Sequence, residues 1–181
     1  MEWVAALFLP TVFVLGSLDP YGLHKEPKIN HATTIIKYAE QNDHDPYELL
    51  AITITESDLN PRAVSYKGAV GLFQVMCKYW YKKTGYKSIE ECNEKLFVPL
   101  NSVKAGVYVL TTYRSKYPQC QGDLAYRCYF AGHGWRKYKP GGKTANHIIR
   151  YEKKVRQRKL MLHKYYKDFI EDIRFKVQKR S

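Results

Sequence analysis

The stretch from Thr55 to Met76, T-E-S-D-L-N-P-R-A-V-S-Y-K-G-A-V-G-L-F-Q-V-M, constrains this chain more than any other. An apolar helical run ends at Glu56, Asn60-Pro61 breaks it, and Gly68 and Gly71 hinge the chain before a second apolar helix from Leu72. The first helix has a marked start at Asp45-Pro46-Tyr47-Glu48. Asp45 is placed to cap, Pro46 takes the first helical position where no N–H is missed, and Glu48 completes a capping box. Counting onward, Leu49, Ile52, Thr53 and Glu56 fall on one face at i, i+3, i+4 and i+7. Glu56 therefore leaves the buried stripe and not the wet side. Burial disfavours the charged carboxylate and keeps the proton on, which a general acid requires. A helix-end acid judged by position alone is more often a solvated salt-bridge partner.

The rest of the chain reads as helices around this stretch. The pattern predicts a short helix over 33–41, a third over 72–83 stopped by Gly85, and a short one opened by a capping box at Ser88-Ile89-Glu90-Glu91. A longer helix spans 101–117 before Pro118, another covers 123–131 before Gly132, and a last run extends over 144–179. No stretch alternates as a strand would, so the expected class is mainly α. With 181 residues there is room for one ordinary domain and short appendages.

Those appendages are distinct in composition. Residues 3–18 carry no charge and fall short of the roughly 20 that a membrane-spanning helix needs. A signal-peptide core, an uncleaved anchor and a plain apolar arm are the readings of residues 1–18, in that order. Residues 19–30, with Pro20, Gly22 and Pro27, read as a linker. The basicity is concentrated at the other end: residues 136–181 supply +12 of the net +13. Apolar positions Val155, Leu162, Tyr166, Phe169, Ile170, Ile173 and Val177 recur there at helical spacing beside the basic ones. A helix packed back on the domain comes first, attraction to an anionic cell-wall polymer or membrane surface second, and nucleic-acid binding, which rests on charge alone, last. Cys77, Cys92, Cys120 and Cys128 form no C-x-x-C and have no histidine at ligand spacing, so neither a metal site nor a cofactor is expected. Two disulfides in any of three pairings, or four reduced thiols, both fit.

The central stretch resembles the signature of the Slt-type lytic transglycosylases of the lysozyme-like superfamily, E-S-x-x-N-P-x-A-x-S-x-x-G-A-x-G-L-M-Q-x-M. Glu56, Ser57, Asn60, Pro61, Ala63, Ser65, Gly68, Ala69, Gly71, Leu72, Gln74 and Met76 match it without a gap. A second motif, A-L-A-A-Y-N-A-G, is similar to residues 123–132: Tyr129, Ala131 and Gly132 align, and Phe130 replaces the usual Asn. Phe73 and Cys77 are smaller departures. Leu96-Phe97-x-Pro99-x-Asn101 with Gly106 and Tyr108 also looks like the family's helix between motifs. The family's T-x-x-Y-V segment fits Thr144 to Ile148 with His147 for Tyr, or a shifted register at Tyr151. The resemblance covers residues 31–156, taken as the domain, and leaves 157–181 as a basic helical tail.

The resemblance implies a lysozyme-like fold and an enzyme of peptidoglycan glycan strands. Glu56 would protonate the oxygen between N-acetylmuramic acid and N-acetylglucosamine, then act as base on the muramoyl 6-hydroxyl, closing a 1,6-anhydro ring without water. Tyr129 would hydrogen-bond Glu56, and Ser57 would support it. Ser65, Gly68, Gln74, Phe130, Ala131 and Gly132 would line the substrate cleft. The residues agree on one carboxylate, because Asp58 points to another helix face and Glu90, Glu91 and Glu94 sit on a separate helix. A muramidase using water on the same fold is the enzymatic alternative. A non-catalytic murein-binding or assembly module is the other, kept alive by Phe130. The expected setting is the cell envelope, periplasm or exterior, with a phage virion as the alternative.

Overall fold

The computed structural model describes residues 19–179, so the apolar N-terminal segment and its candidate cleavage site lie outside the described residues. Eight α-helices follow in order: α1 (Lys28–Gln41), α2 (Pro46–Ser57), α3 (Cys77–Trp80), α4 (Ile89–Lys95), α5 (Pro99–Lys116), α6 (Leu124–Ala131), α7 (Lys143–Tyr165) and α8 (Lys167–Gln178). Among these residues the only β structure is two isolated bridges, Val64 with Val70 and Val70 with Val75. The mainly α, lysozyme-like expectation stands.

Helix α2 is the axle. All nine residues from Pro46 to Ile54 are buried, so it is buried all round and not striped on one face. α7 packs along it, α1 lies on another side, and α6 bridges α5 and α7. Its start is built as the sequence indicates, with the Asp45 carboxylate accepting from the Tyr47 and Glu48 N–H groups. Glu48 does not complete the box. It turns inward, where Arg114 of α5 grips both its oxygens and the Tyr126 phenol donates to Oε1 at 2.5 Å. That bidentate pair holds its carboxyl below the usual range although burial pushes the other way.

Other boundaries moved for identifiable reasons. The stretch 72–76 is a tight turn and not the start of a helix, because Gly71 and Gln74 both adopt positive φ, leaving α3 only Cys77–Trp80. α1 begins at Lys28, and the segment expected as linker is pinned. Asp19 accepts from the Leu23 and His24 N–H groups, Leu23 is fully buried, and Tyr166 donates to Asp19 while accepting from the Tyr21 N–H. The last helical run breaks at Tyr166, where φ is −127°, and α8 folds back on α1. The boundary expected between residues 156 and 157 falls inside α7 without a break. Cysteines pair as Cys77–Cys92, tying α3 to α4, and Cys120–Cys128, tying α6 to the turn before it. Of the open readings, two disulfides are the one observed.

Candidate active site

Glu56 is the second-last residue of α2. Asp58 and Leu59 then both take positive φ and reverse the chain, so that residues 60–76 return across the helix end. The loop closes on itself: the Ser65 hydroxyl accepts from the Ala69 N–H, the Gly68 N–H donates to the Ser65 carbonyl, and the Gln74 amide donates to the Ala63 and Gly71 carbonyls. Gln74 thereby braces the loop. Gly71 is obligatory on two counts: its φ is +77°, and a Cβ there would lie 2.3 Å from the Leu96 carbonyl oxygen. Ser57 donates to the Thr53 and Leu72 carbonyls. It staples the returning loop to α2 and makes no bond to the Glu56 carboxyl.

The phenol that holds Glu56 comes from α7. Tyr151 donates to Oε1 at 2.5 Å, whereas His147, the position of the other register, is exposed. Tyr129 is corrected accordingly. Its hydroxyl donates 2.7 Å to the Phe73 carbonyl, because Phe73 packs against Gly106 and presents that carbonyl to α6. Tyr129 still stands close enough for the Glu56 charge to raise its pKa. Phe130 was expected only as a substrate contact; its ring stacks on Tyr151, centroids 4.8 Å apart, while remaining 47 % exposed. Ala131 and Gly132 follow at the helix end, both half-buried, Gly132 with φ +78°.

Burial pushes the Glu56 carboxyl up to about 7, against the opposing pull of the Tyr151 hydrogen bond and the Lys154 charge. The same burial, helped by the Glu56 charge, lifts Tyr151 well above the usual phenol range, so the phenol keeps its proton. Asp58 reaches the surface, where Lys28 pairs it at 2.7 Å. A carboxyl half-loaded with a proton near neutrality is equipped to give a proton and take one back.

Two depressions lie along α7, one lined by residues before Tyr151 in the helix and one by residues after it. One, about 390 Å³, is lined on its N-terminal side by Trp135, Tyr138, Ile148 and Arg127, with the Arg127 guanidinium 4.8 Å from the Trp135 ring centre. The other, about 550 Å³, runs C-terminally past Lys154, Arg158 and Met161, with Tyr21 opposite. Sequence reasoning missed Lys154 and Arg158, whose one signal is a spacing of three and seven residues after Tyr151 on one helix. Among the described residues no cluster of His, Cys, Asp or Glu could hold a metal ion.

A sequence model of one family, described as the transglycosylase SLT domain, matches residues 33–151. The matched span begins in α1, contains Glu56 and ends on Tyr151. No curated protein sequence matches this chain.

Proposed function

The chain belongs to the transglycosylase SLT domain family, and from that premise we propose that it cleaves the β-1,4 bond between N-acetylmuramic acid and N-acetylglucosamine with Glu56 as acid and then base. The family makes peptidoglycan the substrate and glycan cleavage the class of reaction. The observation that carries the finer reading is the half-buried Glu56, its carboxyl held by Tyr151 and raised to about 7, with Asp58, the nearest carboxylate in sequence, turned outward to Lys28. Inverting and retaining hydrolases use two carboxylates about the scissile bond. One acid suffices where the sugar supplies its own nucleophile.

Glu56 gives its proton to the glycosidic oxygen as the bond from the muramoyl C1 breaks, releasing the N-acetylglucosamine 4-hydroxyl. The muramoyl 6-hydroxyl then attacks C1, its proton passes to the Glu56 carboxylate, and the 1,6-anhydro ring closes with no water consumed. Tyr151 steadies the charged stage by its hydrogen bond. The Ser57, Gln74 and Gly71 contacts hold the loop that forms one wall. Trp135 and Tyr138 offer flat apolar faces for sugar rings.

The two disulfides support a setting outside the reducing cytoplasm, in the envelope or beyond it. Digestion of purified sacculi, with products resolved by mass spectrometry before and after borohydride, tests the reaction. Anhydro-muramoyl ends from the native chain and none from Glu56→Gln are expected. Borohydride-reducible muramoyl ends would make it a hydrolase, and no solubilisation by either form would leave a binding module.

A further inference from the structure

We propose that Phe130 is a positioning residue for the cleavage: its ring holds the Tyr151 phenol in line with the Glu56 carboxyl. The consequence for turnover rests on the glycan-cleaving reading above; the contact itself does not. A phenol carried by α7 must place its hydroxyl within bonding reach of a carboxyl carried by α2, and a ring turned about its own bonds misses it. The bond formed is 2.5 Å long. Among the described residues Phe130 is the one aromatic ring stacked on Tyr151, with centroids 4.8 Å apart and planes 25° from parallel. Such a pair favours one mutual orientation. Phe130 carries no donor or acceptor on its side chain, so it steadies the phenol without competing for the hydroxyl.

The three residues before Phe130 make it a fixed plate and not a loose surface ring, since each has its side chain tied down. Arg127 pairs with Glu152, the residue after Tyr151 on α7. Cys128 is bonded to Cys120, and Tyr129 donates to the Phe73 carbonyl. The Arg127 pair registers α6 against α7 at the position next to Tyr151, and the other two hold α6 to its own surroundings. Phe130 is itself half-exposed, so replacing it should leave the fold standing. The groups that face Glu56 are Tyr151 and Lys154 of α7 and Tyr129 of α6, while Asp58 at the same helix end is answered by Lys28. Phe130 adds no charge to this set. A change in the Glu56 titration on replacing it therefore comes through the Tyr151 bond or through water.

Two replacements separate the ring from its bulk: Phe130→Leu removes the stack and keeps an apolar side chain, and Phe130→Tyr keeps the ring. On soluble glycan strands Phe130→Leu should lower kcat by about 3–10-fold, the worth of one aromatic pair, with KM unchanged. Phe130→Tyr should restore the native rate. Carbon-13 NMR of the Glu56 carboxyl, in full-length protein labelled at glutamate, reads the positioning without turnover. Its titration should move to higher pH in Phe130→Leu, in the same direction as in Tyr151→Phe and by less. In the Tyr151→Phe background, adding Phe130→Leu should change neither kcat nor the titration further. Phe130→Ile takes the place of the Leu variant if that one does not fold. Four results would overturn the proposal: no change in either readout, an equal loss with and without the Tyr151 hydroxyl, a titration moved to lower pH, or a rise in KM alone. The third would mean that the ring only excludes water, and the fourth that it only touches substrate. If the native chain releases nothing from sacculi, the glycan reading falls by itself, and the NMR titration still decides whether Phe130 positions Tyr151.

Discussion

Replacing Glu56 by glutamine should stabilise the protein, and by an amount that depends on pH. The carboxyl rises from its ordinary 4.5 to about 7 in the folded chain. A raised acid means that the folded state holds a proton the unfolded state has already released. Stability credited to the protonated form is therefore complete below pH 4.5 and lost as pH climbs through 7. At about 1.4 kcal/mol per pH unit, the window from 4.5 to about 7 is worth about 3 kcal/mol. Glutamine keeps an acceptor for the Tyr151 hydroxyl and has no charge to strand. The variant should match the native protein near pH 4.5 and exceed it above pH 7.5, by roughly 6–12 °C in Tm for a chain of this size. Histidines and every other titrating group are common to both proteins and cancel in the difference. Thermal melts of the pair from pH 4.5 to 8.5, without reductant, make the measurement. A gap that stays constant with pH would refute the reasoning, because it would mean that the native carboxyl ionises as freely folded as unfolded.

Tyr151→Phe removes the hydrogen bond that favours the charged form of Glu56; turnover should fall by about 10–100-fold, the cost of one bond to a charged group, and the alkaline limb of the pH–rate profile should move to higher pH. Glu48→Ala strands the Arg114 guanidinium and should cost about 3–5 kcal/mol, read as a fall in the denaturant midpoint. Gly106→Ala places a Cβ 2.2 Å from the Phe73 ring; overpacking of about 1–3 kcal/mol outweighs the gain in helix propensity. Since Phe73 also presents the carbonyl that Tyr129 bonds, the Gly106 variant should lose activity as well as melting temperature.

What could be read beforehand was local. Asp45 and Pro46 set the start of α2 through short-range chemistry, and the motif around Glu56 drew attention to the carboxyl that Tyr151 bonds. Partners chosen across the fold were not legible. Tyr129 and Tyr151 are both phenols near the site, and which one reaches the carboxyl depends on how α6 and α7 lie against α2, a relation across 95 residues for the bond that forms. Glu48 looked like a capping residue because its spacing is that of a capping box. Arg114, 66 residues away, offered a bidentate pair, and a buried carboxylate takes the stronger partner. The turn over 72–76 went unread because positive φ at Gln74 is uncommon for a side chain of this kind, and the loop holds it there by bonding its amide to two carbonyls.

The position of Glu56 itself gathers these strands. It stands at the C-terminal end of α2, where the helix presents the negative end of its dipole and repels a carboxylate. The helix is buried on every side up to Ile54, so little water reaches back to relieve that repulsion. Phe130, stacked on the Tyr151 ring, puts an apolar ring where the related motif carries an amide. Burial thus presses the proton onto a single carboxyl, and the Tyr151 hydrogen bond and the Lys154 charge oppose it. That balance is what sets the value near neutrality.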